Sequence, residues 1–405
     1  MMIKRYKTFL TDFVWSFAAL LVMNMALQLL IYPLINKILG SERNGDILYL
    51  IGVINIIGIS VGTSANNSRL KLSLSKKNIG KYYDLFLIGS FLIFLPIAYV
   101  VLALGGETTD FCSVISYWLL ICATTYRNYA DVEYRLTVNY KGYFIYYLII
   151  SLGYLLGIGI FYVTHIWFII FLVGEISGIL FVLYQKKKNA IKVLFEVQEA
   201  KSIFVSIITL VSAQLCVNAV LNSDRLVLKF FVNSTAVTIY YIASLLGKII
   251  AMVSAPLNSV IIGHLSKKEG DLSANAFLKV AGLLTLGVVG ILGVSVLGSH
   301  IYVYLFYPQE YAVAKALFLP ANTAQIIYFS TGILNTLLLR YISEKYQLYM
   351  NILYVMLFGS MVVSGMVLWG LQGFAISFCC VNILRFMCSV IVGYVKLSQI
   401  GKREK

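Results

Sequence analysis

Long apolar runs follow one another from residue 12 to residue 396, and they constrain this chain more than any motif does. A helix needs about 20 apolar residues to cross about 30 Å of hydrocarbon, and inside lipid only a helix or a closed barrel satisfies its own backbone. Twelve such runs can be read: 12–36, 46–66, 82–104, 112–136, 143–163, 166–184, 203–228, 237–262, 276–298, 311–337, 347–369 and 374–396. Gly, Pro and short polar clusters separate them, and no outer loop is long enough to be a domain. Only 12% of the 405 residues are charged and 60% are hydrophobic. Soluble domains carry about 25% charged residues, so a soluble globular fold is excluded. The expected fold is an all-α polytopic membrane protein of about twelve transmembrane helices.

Lys and Arg set the orientation of such a chain. With the N-terminus inside, the inner segments hold 25 of the 32 basic residues, including Lys76-Lys77, Lys186-Lys187-Lys188 and Lys267-Lys268. Lys37, Arg43, Arg225, Lys229 and Lys315 fall outside, and both termini are expected in the cytoplasm. The net charge of +15 then requires no nucleic acid. Inner basic belts face anionic membrane lipids, each residue contributing about 1 kcal/mol. The six cysteines sit at helix depth or at a helix end, so no disulfide is expected, and no Cys/His spacing points to a metal. The basic start resembles a signal peptide, but its apolar run is too long and holds Asp12, Asn24 and Gln28; it is read as the first span.

An internal repeat is visible. Ser64-Ala65 and Ser254-Ala255 lie 190 residues apart; Lys76-Lys77 and Lys267-Lys268 lie 191 apart, as do Tyr49 and Tyr240. Two tandem six-helix lobes are therefore expected, residues 1–185 and 203–405, joined by a charged cytoplasmic linker over 186–202. Six is even, so both lobes enter from one side, as in parallel-repeat secondary transporters.

Polar groups at hydrocarbon depth mark candidate function. At about 100° per residue, Gln214, Asn218, Asn222 and Arg225 of span seven fall within about 80°. Lys248 lies near the midpoint of span eight, with Tyr241, Ser244 and Ser259 on its side. A lone lysine there costs about 2.5–3.5 kcal/mol, so it survives only against a partner or a watery cavity. Arg385, with Asn382 and Ser389 on its face, is equally deep in span twelve, and no carboxylate of the same half reaches either depth. Asn24 and Gln28 precede Tyr32-Pro33 in span one, where proline loosens a helix. Asn322, Thr323 and Gln325 follow Pro320 in span ten.

In span four, Arg127 is deep, while Asp131, Glu133 and Arg135 read equally well as a solvated helix end with ion pairs Arg127–Asp131 and Asp131–Arg135. Glu175 is a proton-site candidate or, as the better reading, a structural partner for Arg127. Gly153 and Gly157 suit close helix packing. Intramembrane amides often only bond neighbouring helices, at about 0.6 kcal/mol each, which weighs against a binding role for Asn24, Gln28 and Asn218. His165, His264 and His300 read as solvated loop residues. The deep balance is cationic: Lys248, Arg385 and Arg127 against Glu175, with Asp224 and Arg225 at the outer mouth.

The segment Asn222-Ser223-Asp224-Arg225-Leu226-Val227-Leu228, followed by Tyr240-Tyr241-Ile242-Ala243, resembles the Asp-Arg-hydrophobic and Tyr-x-x-Ala pattern of the polysaccharide repeat-unit flippases of the MOP exporter superfamily. That superfamily also holds the multidrug MATE exporters and the lipid II flippases. Asn233-Ser234-Thr235 stands where the family has loop glycines. The resemblance implies flipping of an undecaprenyl-pyrophosphate-linked oligosaccharide across the bacterial inner membrane, for O-antigen or capsule. It implies alternating access, no enzymatic activity and no cofactor beyond a coupling proton or sodium ion. The polysaccharide polymerase and chain-length machinery are the expected neighbours. Lys248, Arg385 and Arg127 would meet the pyrophosphate; Asn24, Gln28, Gln214 and Asn218 the sugar; Asp224 and Arg225 would form an outer gate, and Glu175 a coupling site. A MATE-type drug exporter and a polytopic glycan polymerase are the rival readings. Short, sparse outer loops weigh against the polymerase.

Overall fold

A computed structural model describes residues 2–72, 80–186, 197–252, 272–338, 341 and 344–403. Among these residues the chain is helical throughout. Twelve long helices can be followed: α1 (2–39), α2 (41–72), α3 (Gly80–Gly105), α4 (Phe111–Leu136), α5 (Tyr140–Thr164), α6 (Phe168–Lys186), α7 (Val197–Leu221), α8 (Ser234–Met252), α9 (Ala274–Phe306), α10 (311–338), α11 (344–368) and α12 (371–403). The short helix Ser223–Phe231 joins α7 to α8. The Ser254-Ala255 and Lys267-Lys268 landmarks, Lys76-Lys77, Ser259, Arg340 and residues 187–196 of the expected linker lie outside the described residues.

Eight helical stretches among the described residues are long and apolar enough to cross a bilayer. Two of them are double length. Thr11–Leu72 spans 62 residues and Tyr349–Gln399 spans 51, whereas one crossing takes about 20. Backbone breaks divide both. Gly40 has φ +83° and ψ 166°, a conformation that L side chains rarely adopt, and it turns the chain between α1 and α2. Trp369 and Gly370 (φ +56°) do the same between α11 and α12. Two expected spans fall short of that standard for local reasons. The C-terminal half of α4 is polar, with Arg127, Asn128, Asp131, Glu133 and Arg135; the apolar part of α8 is described only over Ser234–Ile250.

The run 203–228 departs further from expectation, because it is not one helix. α7 ends at Leu221, and the chain turns at Asn222 before the next helix begins at Ser223. The Ser223 hydroxyl donates back to the Val220 carbonyl at 2.8 Å, which satisfies a helix-end acceptor. Arg225 therefore leaves the face that it would share with Gln214 and Asn218 on a continuous helix.

The chain packs as two compact units, Met1–Leu226 and Val227–Lys405. In the first, α4 is central: α2, α3 and α6 pack on it, α5 packs on α6, and α1 on α5. α7 lies on α2. In the second, α10 holds the same place, with α8, α9 and α12 against it and α11 on α12. Glycines permit the closest approach: a Cβ on Gly157 would lie 2.7 Å from the Ile170 Cα, and one on Gly153 2.8 Å from the Gly174 Cα. The packing role expected of Gly153 and Gly157 is thus met at the α5–α6 contact. Faces left exposed are apolar, as on α3 (Leu92, Ile93, Leu104) and α9 (Leu283, Leu286, Val294); such surfaces belong in lipid.

Candidate functional site

Within the first unit, α4, α5 and α6 bring their polar side chains together. Arg127 Nε donates to both Glu175 oxygens at 3.0 Å, and the Tyr154 hydroxyl donates to Glu175 Oε1 at 2.9 Å. The Tyr154 ring occupies space that any side chain at position 174 would fill, so Gly174 admits it. Arg127 also lies 6.0 Å from the centre of the Tyr147 ring, and its Nη1 meets the Met23 sulfur of α1 at 3.6 Å. Arg127 and Glu175 are both buried. The ion pair expected between Arg127 and Asp131 is replaced by this one, because α6 delivers a carboxylate at the depth of the guanidinium. Asp131 instead accepts from the hydroxyls of Tyr143 (3.2 Å) and Tyr147 (3.1 Å). Glu133 pairs with Arg69 of α2 at 2.8 Å, and the same Arg69 nitrogen donates to Tyr129.

The amides of the first unit are placed separately. Asn24 donates to the Leu20 carbonyl of its own helix at 2.8 Å. Gln28 is buried within a π-helical segment, Ala26–Ile31, directly ahead of Pro33. Asn218 donates to Ser60 of α2 at 2.9 Å, beside a second π segment, Asn55–Ile59; Gln214, one turn earlier, is half-buried. Arg225 is buried against α2, its Nη1 3.4 Å from the Leu48 carbonyl, and Gly52 leaves room for its Cδ. Asp224 is buried and accepts the Arg225 amide at 3.0 Å.

The second unit holds the other two deep cations. Half-buried Lys248 of α8 has its ammonium 5.6 Å from the centre of the Tyr241 ring. Arg385 of α12 lies against two neighbouring rings, 4.8 Å from that of Tyr328 on α10 and 4.3 Å from that of Tyr354 on α11. Its Nη1 is buried with no hydrogen-bond partner among the described residues, and so is the Ser389 hydroxyl one turn along the helix. Asn382 is fixed nearby, donating to the Phe378 carbonyl at 2.8 Å and accepting from the Tyr354 hydroxyl at 3.4 Å.

Burial of a charge is tolerated when a partner neutralises it. Arg127 has one. Arg385 has ring faces, which attract a cation without cancelling its charge, and five acids in all occur in residues 227–405: Glu269, Asp271, Glu310, Glu344 and Glu404. None of the five falls within a membrane-spanning run except by its end, so the guanidinium keeps its capacity for an anion. Sequence reasoning passed over the tyrosines around both arginines. Their helical spacing (Tyr143, Tyr147 and Tyr154 on α5) was the available signal.

No family model matches the chain, and no curated protein matches its sequence. Solved structures do resemble it. The lipid II flippase MurJ in an inward closed conformation aligns with a TM-score of 0.68 at 13% identity, over 96% of this chain and 90% of that one. A multidrug resistance MATE family transporter of the MOP superfamily, outward-facing, aligns with a TM-score of 0.62 at 14% identity, over 96% of each chain. The Vibrio cholerae MATE transporter VcmN in its bent form gives 0.61 at 14%, over 97% of each. The chain thus has the MATE/MurJ-like fold, that of an all-α polytopic membrane protein.

Proposed function

We propose that this protein is a flippase for an anionic lipid-linked saccharide, carrying an undecaprenyl-pyrophosphate-linked oligosaccharide from the inner to the outer leaflet of a bacterial cytoplasmic membrane by alternating access. One observation carries the reading: Arg385 lies against two neighbouring tyrosine rings with a buried donor that no described residue accepts, in a unit whose five acids fall outside the apolar runs of the sequence. A pyrophosphate is the kind of group that such a guanidinium receives, through charge-assisted hydrogen bonds. Lys248 adds a second cation, and the amides Asn24, Gln28, Gln214 and Asn218 offer donors to sugar hydroxyls. Both termini face the cytoplasm in this reading, and residues 1–185 and 203–405 act as the two moving lobes. The MATE/MurJ-like fold supports a transporter and weighs against a polymerase. An inside-negative potential favours outward movement of an anion by about 2.3 kcal/mol per charge per 100 mV.

The test is the leaflet distribution of lipid-linked oligosaccharide in the protein's own host. Depletion is expected to trap the oligosaccharide on the cytoplasmic face. Intact protein should restore outward presentation, whereas the Lys248→Gln, Arg385→Gln double variant, present at normal abundance, should not. Full complementation by that variant would overturn the cationic site. Unchanged leaflet distribution together with gained drug sensitivity would move the protein to the drug exporters.

A further inference from the structure

Asn322 holds five hydrogen-bonding partners among the described residues. Its side chain is fully buried. Nδ2 donates to the carbonyls of Phe318 (2.7 Å) and Ala243 (2.9 Å) and to Ser299 Oγ (3.1 Å), and Oδ1 accepts from Ser295 Oγ (2.8 Å) and from the Gly247 amide (2.7 Å). A carboxamide has two N–H donors and two lone pairs, so the three acceptors around Nδ2 share its two protons and both lone pairs of Oδ1 are used. Two of these partners have a special relation. Ala243 and Gly247 are four apart on α8, the carbonyl and amide that an α-helical turn would join to each other. The Asn322 carboxamide bridges them from α10, inserting beside a turn that remains α-helical.

Gly247 makes the insertion possible. A Cβ there would lie 3.0 Å from Oδ1 and 3.1 Å from the Asn322 Cα. The next residue is Lys248, whose ammonium lies over Tyr241, about two turns back along α8. The direction in which Lys248 leaves α8 thus follows from the geometry of the bridged turn.

We propose that Asn322 is a positioning residue for Lys248: its carboxamide occupies the Ala243–Gly247 turn of α8 and sets the direction of the lysine side chain. The inference rests on the reading of Lys248 as a contact for the anionic substrate. Its test uses the full-length protein in lipid nanodiscs, in a cysteine-free form with Lys248→Cys, and measures the rate of reaction with a charged methanethiosulfonate. Asn322→Ala is expected to change that rate about tenfold, the scale of one lost hydrogen bond. A Thr164→Cys reporter on the first unit should react at its parent rate, and the protein should still melt cooperatively.

An unchanged rate at position 248 in folded N322A overturns the proposal. Should N322A not be recovered folded, Gly247→Ala, which keeps the Asn322 bonds to Ser295, Ser299 and Phe318, is decided by the same two outcomes. A second arm separates this inference from the functional reading. Binding of inorganic pyrophosphate should weaken in both N322A and Lys248→Gln. A K248Q form that binds as tightly as the parent removes Lys248 from the substrate site, and the thiol rate alone then decides Asn322.

Discussion

Arg127 and Arg385 carry the same side chain into opposite surroundings, and their expected mutational behaviour differs accordingly. Glu175→Gln leaves the buried Arg127 guanidinium without its counter-charge, and breaking a buried pair from one side costs about 3–5 kcal/mol. Thermal unfolding in detergent should show a marked loss of stability for E175Q. The Arg127→Met, Glu175→Leu double variant should recover most of it, because an apolar pair of similar volume replaces both charges. At Arg385 the expected effect is on binding. Tyr354→Leu removes the nearer ring, 4.3 Å away, and a cation–π contact contributes about 0.5–2 kcal/mol. Pyrophosphate binding, read by calorimetry on folded protein, should weaken by that order in Y354L.

At the scale of the element, close helix contacts and caps set the outcome. Gly157→Leu would drive a side chain into the Ile170 backbone of α6, and overpacking costs about 1–3 kcal/mol; the yield of folded protein should fall. Asp110 caps α4 and accepts the Ser113 amide at 3.1 Å. Hydrogen bonds from the Ser113 hydroxyl, the Ser113 amide and the Thr108 hydroxyl hold its carboxyl below the usual range. A lowered folded pKa means that the cap's stabilisation is fully present above about pH 3.9, the unfolded value, and is lost as pH falls through the folded one. Hydrogen exchange at Ser113 and Val114 should accelerate over that acid range in the parent and be independent of pH-linked capping in Asp110→Ala. Helix positions were legible in the sequence because a run of apolar residues is set by bilayer thickness. The break at Asn222 was not, since the polar run Asn222-Ser223-Asp224-Arg225 reads equally as the wet end of one helix or as a turn. The π segments Ala26–Ile31, Asn55–Ile59 and Phe358–Val362 were equally hidden. Arg127 and Glu175 stood out by charge at depth, but their three-residue set with Tyr154 required the register of α5 against α6, which glycine packing fixes only in three dimensions.

For the whole molecule, the distribution of basic residues fixes what topology should be found. A reporter that is active only outside the cytoplasm should be active when fused after residue 106 or 165 and inactive after 138 or 186, with the C-terminus cytoplasmic; activity after 186 would overturn the orientation read from Lys and Arg. Cations rest on aromatic faces in both units, and among the described residues the first unit adds buried or half-buried ion pairs to them. The tight turn at Trp369 and Gly370 bears on how the second unit's arrangement arises during synthesis. Gly373 stands against the Gly365 backbone, where a Cβ would lie 2.6 Å from the carbonyl carbon, so the end of α11 and the start of α12 form a close hairpin. Were such a hairpin to leave the insertion machinery as one body, the Tyr354 ring would already stand beside Arg385. An isolated α12 would meet lipid carrying a bare arginine, at a cost of about 2.5–3.5 kcal/mol; the paired helices would enter with that charge already screened by a ring.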